Sequence, residues 1–202
     1  MEELRDKNGL TEAEFLAAYD ASKYERPSVT VDIIIFHSGR LLLIKRGGHP
    51  CIHKLAFPGG FVEMNEDVYT AAARELMEET GLKAKNLRQL HVASTPNRDP
   101  RTRIITVPFI AEVEDINALR AGDDAESARL YPFSYKKMKL GRNEIIEIAI
   151  IDGNERKTVK VVKSRDESRL SGDYIYKQAG ESMLAGDHAE ILARAIDATE
   201  NR

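Results

Sequence analysis

The sequence predicts an α/β fold with a mixed β-sheet and an added β-hairpin region. Three observations predict it. β-Branched and aliphatic runs of strand length occupy 28–36, 40–46, 87–95 and 103–113. Two amphipathic helical patterns, 66–80 and 186–199, are set among and after them. A further alternating pair of runs, 143–164, turns at Asp152-Gly153.

Each element has a local cause. Thr11 followed by Glu14 is a capping box opening a short N-terminal helix, with Leu10, Phe15, Ala18 and Tyr19 on one face. The runs 28–36 and 40–46 are joined by His-Ser-Gly, which predicts a hairpin. Gly47, Gly48, Pro50, Pro58, Gly59 and Gly60 make the next stretch a loop. The helix 66–80 stops at Gly81. Strands 87–95 and 103–113 flank the loop "PNRDPRT", and "AGDDAES" (121–127) reads as a second loop. In 143–164, Ile146, Ile148 and Ile150 alternate with Glu147, Ala149 and Ile151, and Val159 and Val161 alternate with Lys160. One face of that hairpin is therefore expected to be buried. Asp187 is the expected cap of the closing helix.

The chain of 202 residues is read as one domain, 1–202. Its parts are an N-terminal helix in 1–23, an insertion at 129–182 with the hairpin, and the closing helix 186–199. A net charge of −3 gives no electrostatic reason to expect nucleic acid or a membrane as partner. Cys51 is the single cysteine, so no intrachain disulfide forms and a reducing compartment is expected. The longest apolar runs are strand-sized, and no signal peptide or membrane span fits. The expectation is a cytoplasmic protein.

The stretch "GGFVEMNEDVYTAAARELMEETGL" (59–82) carries the chemistry. Glu75, Glu78 and Glu79 are three and four apart, so they share a helical face. Val68, Ala71 and Ala72 lie seven, four and three residues before Glu75, which puts the carboxylates beside the apolar stripe. Carboxylates crowded there repel and raise one another's pKa. A hard divalent cation removes that penalty, since Mg²⁺ takes oxygen ligands. A solvated acidic face is the alternative, disfavoured by the stripe and by the glycine loop before it.

Gly60, Glu66, Arg74, Glu75, Leu76, Glu78, Glu79, Gly81 and Leu82 resemble the signature of the Nudix hydrolases at every constrained position. The resemblance implies an α/β/α sandwich and hydrolysis of a nucleoside diphosphate linked to another group. It implies Mg²⁺ or Mn²⁺ bound by the Gly60 carbonyl, Glu75, Glu78 and Glu79. Arg74 would orient the glutamates, and Glu66 would be outer or structural.

The flanks "YERPSVTVDIIIF", "LLLIKRGGHP", "FPGGFVE", "NRDPRTRIITVPFIAEV" and "DHAEIL" are similar to the ADP-ribose pyrophosphatase branch, which is related to Nudix-type repressors of NAD metabolism. That similarity covers about 20–128 and 184–197. Leu55, Phe57, Thr102 and Gly186 depart from the branch pattern. The implied reaction yields AMP and ribose 5-phosphate. Arg46, Arg98 and Arg101 are the candidate diphosphate ligands, because a guanidinium fork suits phosphate. Tyr24 and Phe109 are weighed as adenine-stacking residues, and His188 as a residue packed near its helix start. The general base is either Glu75 or a carboxylate of the "GDDAES" loop, with Glu126 the favoured loop candidate. Relatives are often homodimers, so a homodimer is implied.

Two alternatives stand beside this reading. One is a Nudix hydrolase of another nucleoside diphosphate derivative, such as NADH, a dinucleoside polyphosphate or an oxidised nucleotide. The other is an ADP-ribose-sensing regulator without catalysis, against which the intact signature and the expected lack of a C-terminal winged helix both count. Residues 129–182 lie outside the resemblance. From 128 to 182 there are twelve Lys and Arg against eight Asp and Glu. The hairpin is therefore expected to dock on the body or on a second subunit, with its basic side near an acidic substrate.

Overall fold

The computed structural model describes residues 3–120, 125–168 and 173–200. The elements are α1 (Glu12–Ala18), β1 (Ser28–Ile34), β2 (Phe36–His37), β3 (Arg40–Arg46), β4 (Leu55–Ala56), α2 (Val68–Thr80), β5 (Ala84–Gln89), β6 (Ile104–Val113), β7 (Ala125–Leu140), β8 (Asn143–Asp152), β9 (Glu155–Arg165), β10 (Tyr174–Ala179) and α3 (His188–Glu200). One sheet has the order β1-β6-β5, with β1 parallel to β6 and β5 antiparallel to it. The other is antiparallel, in the order β10-β9-β8-β7-β3-β2, with β4 on β3.

Strand alternation makes the sandwich. Successive side chains point to opposite faces. Val31, Ile33 and Ile35 join Ala71, Ala72 and Leu76 of α2 in one core. Ile34, Leu41 and Leu43 face the other way, onto Ile191, Leu192 and Ile196 of α3. The chain therefore has helices on both faces of its sheets, the α/β/α arrangement expected. No helix among the described residues is long and apolar enough to cross a membrane.

Three strand expectations need correction. The run 28–36 is not one arm of a hairpin. β1 pairs with β6 as far as Ile34, and the Ile35 carbonyl then accepts from Leu42 N–H at 3.0 Å in the other sheet. The hairpin shrinks to Phe36–His37 against Arg40–Leu41. The run 87–95 starts earlier, at Ala84, and ends at Gln89. Beyond it Ala93 keeps a single bridge to Thr106. The third is β7, a strand of 16 residues that begins inside the stretch 121–127 read as a loop. Pairing with β3 on one edge and β8 on the other imposes the strand despite its lysines.

The hairpin is β8–β9, with Ile146, Ile148, Ile150, Val159 and Val161 buried in the core beneath α3. Ala149, expected on the solvated face, is buried as well. The capping box of α1 forms, with Glu14 N–H donating to Thr11 and Thr11 N–H to Glu14. No residue of α1 is buried, so its apolar face is uncovered. Asp187 does not cap α3 with its side chain, because Arg98 occupies that carboxylate.

Candidate functional site

The site begins with backbone. Residues 58–62 run alongside β1: Val31 N–H donates to the Gly60 carbonyl at 2.9 Å and Ile33 N–H to Pro58 at 2.8 Å. Gly59 adopts φ 155°, and a Cβ there would lie 2.1 Å from the Val31 carbonyl oxygen. A Cβ on Gly60 would lie 2.4 Å from Glu75 Oε1. The two glycines let the loop press against both β1 and the carboxylate of α2. Gly59→Ala should therefore lower stability by about 2 kcal/mol or more in urea denaturation. Gly48→Ala, where nothing lies within 4 Å of an added Cβ, should be close to neutral.

Asp67 caps α2 by accepting from Tyr69 and Thr70 N–H, both at 2.9 Å. Ala71, Ala72, Leu76 and Thr80 fill the buried stripe, which fixes the glutamates at its border. Arg74 is their hub. It donates to Glu66 through Nε and Nη2, at 3.1 and 2.6 Å, and to the Phe61 carbonyl at 2.9 Å. Its Nη1 donates to Glu75 at 2.8 Å and Glu78 at 3.0 Å. The Glu66 carboxyl is held below its usual range chiefly by Arg74. Burial pushes Glu75 up, against the pull of Arg74. Glu79 accepts from Gly59 N–H at 2.8 Å. Its carboxyl is pushed up to about 7, first by burial and then by the Glu75 and Asp32 charges, with Gly59 N–H and Arg46 opposing.

Among the described residues, no three His, Cys, Asp or Glu side chains converge as a ready metal cluster. The reason is visible: Arg74 draws Glu75 and Glu78 to its own fork while Glu79 turns to Gly59. The donor chemistry nonetheless suits a hard divalent cation. All the groups are oxygens, the Gly60 carbonyl keeps a lone pair beyond its bond to Val31, and burial disfavours the charge of the half-buried Glu79, which a cation would offset.

A cavity of about 780 Å³ opens beside this loop. Gly60, Glu79, Arg46, Arg98 and Arg101 line it, whereas Glu75 and Glu78 do not. The arginines are already engaged. Arg46 Nε donates to the Pro50 carbonyl at 2.8 Å. Arg98, its side chain 8% exposed, grips Asp187 at 2.8 and 2.6 Å. Arg101 holds Asp99 at 3.0 and 2.9 Å and lies over the Phe61 ring at 5.5 Å. The Glu126 side chain, with Asp123 and Asp124, lies outside the described residues. Phe109 is core, edge-on to Tyr69, and Tyr24 does not line the cavity.

No residue of 143–164 lines the cavity, so the expected basic flank is not there. Its lysines instead meet carboxylates: Lys160 reaches Glu147, and Lys163 reaches Glu144 and Asp197. Asp32 and His188 do line the cavity, and the sequence reading did not place them in the site. A signal existed for Asp32, a lone charge inside the apolar run "SVTVDIIIF".

The NUDIX domain profile matches residues 26–147, more than half of the chain. This chain belongs to the Nudix hydrolase family. It is 42% identical over 125 residues to the ADP-ribose pyrophosphatase of Methanocaldococcus jannaschii, covering 61% of this chain and 73% of that protein. It is 39% identical over 110 residues to the ADPR responsive transcriptional repressor NtrR of Acinetobacter baylyi, covering 52% of this chain and 44% of the repressor. Among solved structures, a MutT/nudix family protein from Enterococcus faecalis matches with TM-score 0.68 and 30% identity, over 96% of this chain and 71% of that one. The NUDIX domain of Shewanella oneidensis NrtR complexed with ADP ribose matches with TM-score 0.56 and 28% identity, over 61% of this chain and 84% of that one.

Proposed function

We propose that this chain hydrolyses the pyrophosphate bond of ADP-ribose to AMP and ribose 5-phosphate. We further propose that it uses Mg²⁺ or Mn²⁺ held by the Gly60 carbonyl, Glu75, Glu78 and Glu79. The observation that carries this is one cavity lined by both the half-buried Glu79 and three arginines. The likeness to an ADP-ribose pyrophosphatase and to an ADP-ribose-bound Nudix domain supports the choice of substrate.

A bound divalent cation would neutralise charge on the departing phosphate and acidify the attacking water. The protein's own groups set the stage for that. Arg74 holds Glu75 and Glu78 in place until a cation competes for them. Arg46, Arg98 and Arg101 put three guanidinium groups on a wall they share with Asp32, Glu79, Asp99 and Asp187, and a guanidinium fork suits a diphosphate. Arg98 is fixed by Asp187 and Arg101 by Asp99, so neither fork has to be ordered when substrate arrives. Glu75 and Glu126 are the two candidates for accepting the water's proton.

A hydrolysis panel with Mg²⁺ tests this: ADP-ribose, NADH, diadenosine polyphosphates and 8-oxo-dGTP, with product identification. ADP-ribose should have the highest kcat/KM and yield AMP with ribose 5-phosphate, and EDTA should abolish turnover. A tenfold or larger preference for another member of the panel would overturn the substrate. The likeness to NtrR favours one second reading, a sensor of ADP-ribose. Tight binding of ADP-ribose without turnover would select it.

A further inference from the structure

Asp32 is the one ionisable residue of β1. It is 8% exposed, sits between Val31 and Ile33, and lines the cavity. Its Oδ2 accepts from Thr106 Oγ1 at 2.6 Å. Its Oδ1 faces His188 Nε2 at 3.5 Å, longer than an N–H···O hydrogen bond. No lysine or arginine forms a salt bridge with it among the described residues.

His188 is equally constrained. Its ring lies flat on Phe57, with centroids 4.9 Å apart and planes at 8°. Its Nδ1 accepts from Phe57 N–H at 3.1 Å. With that lone pair taken, the neutral ring carries its proton on Nε2. The cavity wall thus presents a fixed acceptor beside a fixed donor, held by β1, β6 and α3. Neither is completed by the other. Both atoms face the cavity, so each keeps bonding capacity for a group that enters it.

The chemistry of that completing group is narrow. A hydroxyl both donates and accepts, so one hydroxyl about 2.8 Å from each atom satisfies both. A phosphate oxygen only accepts, and it carries the charge that Asp32 repels. We infer that Asp32 and His188 form a subsite for a sugar hydroxyl of the substrate, opposite in character to the arginine wall. This rests on the ADP-ribose reading of the cavity. ADP-ribose has two riboses, and either could supply the hydroxyl.

Calorimetric titration in EDTA reads the subsite without turnover. Three ligands separate the sources: ADP-ribose, its 2′,3′-dideoxyadenosine analogue, and the methyl ester of ADP, which lacks the distal sugar. Wild-type protein should bind ADP-ribose at least tenfold tighter than one of the two analogues. With its amide oxygen kept on the Thr106 hydroxyl, Asp32→Asn turns an amide donor to the place where an acceptor is needed. It should weaken ADP-ribose about 10- to 100-fold while leaving that weaker analogue within about twofold. His188→Gln carries the same test if Asp32→Asn does not fold. Equal wild-type affinity for all three ligands, no loss in either variant, or equal loss across the three would overturn the inference alone. Wild-type protein that binds none of them would overturn the reading of the cavity, and the inference with it.

Discussion

Glu79→Gln should lower kcat for ADP-ribose on the order of 10²-fold or more at saturating Mg²⁺, in a protein that stays folded. A neutral amide is a poor ligand for a hard cation, and Glu79 is the signature glutamate that lines the cavity. The same change has a second readout in metal-free protein. Burial disfavours the charge of the folded carboxyl and pushes it up to about 7 from an ordinary 4.5. The folded state therefore holds this proton more tightly than the unfolded chain. The resulting stabilisation is complete below 4.5 and is lost as pH rises through about 7. A gap of that size is worth about 3 kcal/mol. Glutamine stays neutral, so the stability difference between variant and wild type should move in the variant's favour between pH 5 and pH 8. Urea denaturation at both pH values with chelator present measures it. Full turnover in the variant would remove Glu79 from the metal set, and a difference that ignores pH would remove the buried-carboxyl account.

What could be read from the sequence follows the range of the interactions. The glutamate face of α2 is a local property, because residues three and four apart share a side of any helix. Its boundaries are local too, with Asp67 at one end and Gly81 at the other. The engagement of Arg98 is not local. Its partner Asp187 is 89 residues away, so a substrate loop and a helix start look unrelated until the chain folds. The same holds for Phe57 and His188, 131 residues apart. β7 was hidden for another reason. Lys136, Lys137 and Lys139 look like solvated surface, yet one of them, Lys137, points at carboxylates of α3. A basic run can be a strand when neighbouring elements supply the matching charge.

Asp197→Asn should cost about 3 kcal/mol, the larger of the stability losses expected here. Asp197 is 6% exposed and joins three strands to α3. Lys137 of β7 and Lys163 of β9 both donate to it, as does the Tyr176 hydroxyl of β10. Burial pushes its carboxyl up, but the bonds from Lys137, Lys163 and Tyr176 outweigh that and hold it below the usual range. Removing the charge leaves two partly buried ammonium groups without their shared partner. Lys137 keeps Glu200 and Lys163 keeps Glu144, which holds the cost toward the low end of that for a broken buried pair. The pH dependence has the opposite sign to that of Glu79. A depressed carboxyl contributes stability above its ordinary 3.8 and loses it as pH falls through the folded value. The wild-type advantage should therefore be full at pH 7 and shrink in acid, while the variant lacks that loss. Activity at 25 °C should survive, since Phe57 and Arg98 hold the first turn of α3 independently. Denaturation at pH 7 and pH 3 reads both effects. A variant as stable as wild type at pH 7 would show that the α3–sheet contact rests on apolar packing, with the Asp197 cluster contributing nothing net.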